Sequence, residues 1–92
     1  MKAKEIVPGR FYWYQPSSST KPDIIRVDGV AERAYKGERT KFAASRFLAA
    51  GVRPVRVSAE IIVAELTPDD PRFDRIMRII DAVESAEIGV VR

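Results

Sequence analysis

The chain has 92 residues, a net charge of +3, and neither cysteine nor histidine. That length holds one domain with a single core. The two missing residue types exclude disulfides, zinc–thiolate and iron–sulfur sites, thiol nucleophiles and Ser-His-Asp chemistry, while 46% hydrophobic and 32% charged residues describe a folded protein rather than a disordered one.

The opening, Met1 to Pro8, carries Lys2 and Lys4 with no long apolar run behind them, so no signal peptide is expected. Apolar runs elsewhere are as short as Ile61-Ile62-Val63-Ala64. None spans a membrane, and a cytoplasmic location is the expectation. Pro8-Gly9 is a strong turn signal. Phe11-Tyr12-Trp13-Tyr14 follows, and consecutive aromatics favour a strand. Alternation sends Phe11 and Trp13 to one face and Tyr12 and Tyr14 to the other, one pair in the core and one at best half-buried.

Residues 15–23 form a polar loop bracketed by Pro16 and Pro22, long for a hairpin connection and suited to a mobile tip or a partner contact. Ile24 to Val30 reads as a strand with Ile25 and Val27 on one face and Ile24 and Arg26 on the other; Asp28-Gly29 signals a turn or bulge. Ala31 to Arg39 reads as a charged loop or edge strand. Over 40–51 two readings stand. The composition suits a helix ending at Gly51, but Phe42, Phe47 and Leu48 fall on separate helical azimuths. As a strand, Ala44, Arg46 and Leu48 alternate with Ala43, Ser45 and Phe47, and 49–51 is a hairpin tip. Val55 and Val57 then alternate with Arg56 and Ser58, and Ile61 to Leu66 is expected in the core.

A C-terminal helix is predicted over 70–86. Asp70 is its N-cap and Pro71 its first residue. Phe73, Ile76, Ile80 and Val83 make one apolar stripe, widened by Met77 and Ile79. Residues 88–91 are a short closing strand or a tail.

Charge divides along the chain. Residues 1–56 hold five Lys and seven Arg against five acids, net +7, and residues 57–92 are net −4. The basic part suits a polyanion such as nucleic acid, or the two parts attract each other within the molecule. For a nucleic-acid or protein partner the candidate residues are Arg10, Tyr12, Tyr14, Arg26, Arg46, Arg53 and Arg56, with tyrosines stacking on bases and arginines forking phosphates or carboxylates. Met77 and Ile79, on opposite margins of the helix stripe, are candidates for a protein partner or a homodimer. No catalytic set is present. Asp69, Asp70 and Asp74 cluster at a helix start, where capping explains them more simply than a metal does. The five glycines are scattered, and no phosphate loop exists. No cofactor is implied.

The turn at Pro8-Gly9-x-x-Tyr12 resembles the opening of small SH3-like barrels. Arg46-Phe47-Leu48, a short turn, and Val55-Arg56-Val57-Ser58-Ala59-Glu60-Ile61 are similar to Tudor-type and KOW-type modules, in which a strand pair is followed by a one-turn helix and a short last strand. The resemblance covers about residues 6–66 and implies a mainly β (α+β) fold: a small SH3-like barrel, then the C-terminal amphipathic helix, in one domain over 1–92. It carries no ligand, because methyl-lysine-reading Tudor modules draw a cage from several strands and four of the eight aromatics here sit together. The expected function is a non-enzymatic binding module, of a kind that suits a phage or mobile-element accessory protein. The alternatives are a helix-turn-helix DNA-binding protein, with 42–52 as its first helix and 58–62 opening the second, or a protein that self-associates through its C-terminal helix.

Overall fold

The computed structural model describes residues 1–32, 40–48 and 50–89. Five strands, β1 (Phe11–Tyr14), β2 (Asp23–Glu32), β3 (Lys41–Leu48), β4 (Gly51–Ser58) and β5 (Ile62–Glu65), precede one helix, α1 (Phe73–Gly89). They make a single antiparallel sheet in the order β4-β3-β2-β1-β5. β4 and β5 are therefore opposite edges of the sheet, yet only the one-turn helix Ala59–Ile61 joins them. Such a turn reaches roughly 2 Å per residue, so the two edges are drawn together at that end and the sheet curls into a barrel-like form. The fold is mainly β with one C-terminal helix, as the strand reading expected.

The alternation seen in the sequence decides what each face buries. Tyr12, Tyr14, Ile25, Val27, Phe42, Ala44 and Val57 point into the curl and pack with Ile6, Ala59 and Ile62. The opposite face carries Ile24, Phe11, Trp13 and Phe47, covered by Ile80, Phe73, Ile76 and Met77 of α1 and by Leu66. β1 thus has its tyrosines in the barrel core and Phe11 and Trp13, half-buried, under the helix.

Local chemistry explains the junctions. The Arg10 amide donates to Val7 O at 3.3 Å, closing a turn in which Gly9 has φ +90° behind Pro8. A positive φ at that position suits glycine. The expected irregularity at Asp28-Gly29 is a bulge, with the β2–β3 register shifting between Val27 and Gly29. Residues 41–48, open to two readings from sequence, are strand, and the stretch 58–61 that would begin a second helix is the end of β4 and a single turn. The helix-turn-helix alternative lacks both its helices here.

Two expectations are corrected. The apolar run 61–66 is not core throughout. Ile62 and Leu66 are buried, but Val63 is 54% exposed, because the β1–β5 register shifts between Trp13 and Tyr14 and puts an extra residue on β5. The helix begins at Phe73 rather than 70 and continues to Gly89. Asp70 and Pro71, expected as its cap and first residue, lie in the turn ahead of it, which Asp70 closes by accepting the Arg72 amide on its side chain at 2.8 Å and the Phe73 amide on its carbonyl at 2.9 Å. The charged stretch expected over 31–39 lies outside the described residues from 33 on, as do residues 90 and 91 of the expected closing strand or tail, whose first two residues, Ile88 and Gly89, are instead the end of α1.

Candidate functional site

The seven basic and aromatic candidates do not form one surface. Tyr12 is fully buried, and the Val7 amide donates to its Oη at 2.8 Å, which gives the phenol a partner inside the barrel. Tyr14 is 7% exposed. Burial pushes its phenol above the ordinary value, Arg46 opposing and Asp23 reinforcing that shift. Neither ring offers a face to a nucleic-acid base, so the stacking role expected for them is withdrawn.

Three of the five arginines are occupied. Arg10 pairs with Glu65 at 3.4 Å. Arg26 lies between Asp28 (2.9 Å) and Glu84 of α1 (2.8 Å), with its guanidinium 5.4 Å from the centre of the Phe47 ring. Ser45, buried beside them, donates to Asp28 Oδ2 at 2.7 Å. Arg46 reaches Asp23 at 3.1 Å and lies 5.7 Å from the Tyr14 ring centre, its Nε buried without a partner. The Arg10 and Arg26 links join the basic first part to the acidic last part, the intramolecular attraction that the charge division allowed. Arg53 and Arg56 differ. Both are exposed on edge strand β4 and have no ion-pair partner among the described residues.

The two helix candidates also separate. Met77 packs into the cluster between sheet and helix, whereas Ile79 is 53% exposed on the outer side of α1. They do not make a joint contact surface. Among the described residues no group of three or more acids converges as a metal site. Asp70, the nearest candidate, is engaged with Arg72, whose guanidinium bonds hold its carboxyl below the ordinary value. Among the same residues no helix is long and apolar enough to cross a membrane.

One concavity was missed from sequence. An open groove of about 390 Å³ is lined by Trp13, Lys21, Pro22, Val63, Ala64 and Arg72. Trp13 is its aromatic wall, with the Arg72 guanidinium 4.5 Å from the ring centre. The loop after β1 brings Lys21 and Pro22 to it, and that loop is tied internally: Gln15 Nε2 donates to Thr20 O at 2.6 Å, and the Ser17 and Thr20 hydroxyls are 2.8 Å apart. Val63 and Ala64 come from β5, the strand at the sheet's other edge. The signal that could have pointed here is the apolar run 61–66 itself. A run so continuous marks a strand covered on both faces, so a place on an edge strand leaves part of it, Val63 and Ala64, exposed beside Trp13.

No family model, curated protein or solved structure matches the chain.

Proposed function

We propose that this chain is a non-enzymatic binding module of SH3-like type, and that its partner is a protein. The observation that carries this reading is the division of its surface. The aromatics that would stack on bases are interior, and Arg10, Arg26 and Arg46 spend their charge on Glu65, Asp28, Glu84 and Asp23. What the surface leaves open is an aromatic-walled groove, built by both parts of the chain beside edge strand β5, the mixture of apolar and polar lining that protein partners use. The barrel-like strand order and the one-turn helix ahead of β5 support the SH3-like comparison.

A second reading, a polyanion held by β4, rests on Arg53 and Arg56, which have no ion-pair partner among the described residues. The two are separated by labelled single- and double-stranded DNA and RNA in anisotropy titrations at two salt concentrations, run beside a displayed-peptide selection on the same protein. The protein-binding reading expects saturable peptide ligands and no tight nucleic-acid binding. Tight binding that falls steeply with salt and is lost in R53E/R56E would overturn it in favour of the polyanion.

A further inference from the structure

We propose that the free edge of β5, with the groove beside it, binds an extended acidic peptide by strand addition. The peptide seats one apolar side chain against Trp13 and carries a carboxylate two residues away, toward Lys21. This rests on the protein-binding reading and names its site and ligand.

The hydrogen-bond alternation shows what the edge offers. The Leu66 amide donates to Phe11 O at 2.9 Å, and the register pairs Tyr12 with Glu65 and Trp13 with Ala64. Phe11–Leu66 and Trp13–Ala64 are therefore hydrogen-bonded pairs, and Tyr12–Glu65 between them is not. Each peptide unit points its C=O and N–H in opposite directions. The Val63 carbonyl and both the amide and carbonyl of Glu65 are thus aimed away from β1. Among the described residues β5 pairs with β1 alone. The α-amino group of Met1 donates to Ile62 O at 2.6 Å and so takes the preceding carbonyl, which places the open stretch at Val63 to Glu65.

The two edges of the sheet are not equivalent. β4 carries Pro54 in its middle, which has no N–H to offer, flanked by Arg53 and Arg56. Proline and charge are the ordinary means of stopping edge-to-edge pairing. β5 is short and bulged, but it has no proline, its one charge, Glu65, is taken up by Arg10, and Val63 on it is more than half exposed. Of the two, β5 is the less defended edge.

Side-chain preference follows from what flanks it. An added strand projects alternate residues toward the face that Ala64 shares with Trp13, where the groove walls of Trp13, Pro22 and Val63 accept an apolar side chain. Lys21 stands at the rim without an acidic partner among the described residues, while Arg72 is already paired with Asp70 at 3.0 Å. The local charge complement is negative, and residues on one face of a strand recur every second position.

Trp13 is the only tryptophan, so its emission reports the groove directly. The probe is a synthetic seven-residue peptide with a central leucine and aspartates two positions to either side, titrated into the intact protein. The expected result is a saturable emission change with micromolar affinity. Affinity should weaken about three- to five-fold in Lys21→Glu, and binding should be lost when the peptide residues flanking leucine are prolines, which cannot donate to the edge. Equal binding by the proline peptide would overturn strand addition. Unchanged affinity in Lys21→Glu would overturn the acidic preference. A concentration-dependent dimer abolished by Val63→Pro would give the edge to a second copy and overturn the peptide assignment. If selected peptides bind without altering Trp13 emission, the edge proposal fails and the module reading stands; if no peptide from any source binds, the module reading fails too.

Discussion

Replacing Ile80 by alanine removes the centre of the layer between helix and sheet. Ile80 is 3% exposed and is packed among Ile24, Leu66, Phe11, Trp13, Phe47, Phe73, Ile76 and Met77. At about 0.8 kcal/mol per buried methylene-sized group, the lost transfer free energy is about 2.4 kcal/mol. A helix held by side-chain packing relaxes only in part, and the remaining cavity adds roughly 1 kcal/mol. The sum, about 3–4 kcal/mol, falls in the range measured for such truncations and is a large share of the about 5–14 kcal/mol expected of a domain this long. Urea unfolding followed by circular dichroism should show the midpoint falling by about 2–3 M. Its neighbour is the control. Ile79 is 53% exposed on the same helix, and Ile79→Ala should change stability by no more than about 0.5 kcal/mol. Equal losses at the two positions, or a loss below about 1 kcal/mol at Ile80, would mean that α1 does not pack on the sheet as described.

Three further outcomes are expected. Gly9→Ala meets no neighbouring atom, yet its φ of +90° is one that L side chains avoid, so it should cost about 1–2 kcal/mol in chemical denaturation with the slope unchanged. Asp70→Ala should lower the melting temperature at neutral pH. Because the Arg72 bonds depress the Asp70 carboxyl, its contribution is complete above the ordinary carboxylate value and lost as pH falls through the folded value, so mutant and parent should converge in strong acid. Tyr14 has the opposite sign. Its phenol is raised above 10.0 by burial, so that contribution is complete below pH 10 and is lost as pH rises through the folded value. Ultraviolet difference titration of Tyr14→Phe against the parent should show the missing phenol ionising above the ordinary tyrosine range; ionisation within or below that range would place Tyr14 outside the barrel core.

Much of the fold was legible because period-2 alternation carries through β1, β2 and the start of β4. Residues 41–48 were ambiguous for a physical reason. Alanine and leucine suit a helix, and only the spread of Phe42, Phe47 and Leu48 over separate helical azimuths counted against one; as strand, Phe42 and Ala44 are both buried. Which face of β1 entered the barrel could not be read locally. Both faces are covered, one by the barrel core and one by α1, so neither aromatic pair carried a polar signature. The scattering of the candidate arginines and tyrosines has the same origin. Arg26 and Glu84 lie 58 positions apart, and their 2.8 Å bond exists only once α1 docks. Counting charge along the chain cannot see which arginines are consumed by folding. Trp13, Lys21 and Val63 likewise meet through a β1–β5 pairing and a bulge, and neither follows from spacing.

The claim on which the functional account rests is that β5 turns an unpaired backbone edge outward at Glu65. Amide hydrogen exchange, resolved by residue in the free protein at low concentration, tests it without any ligand. The amides of Ala64 and Leu66, bonded to β1, should be protected, and that of Glu65 between them should exchange near the rate of an unfolded chain. Protection of Glu65 equal to that of its two neighbours would show the edge already covered and would contradict the account.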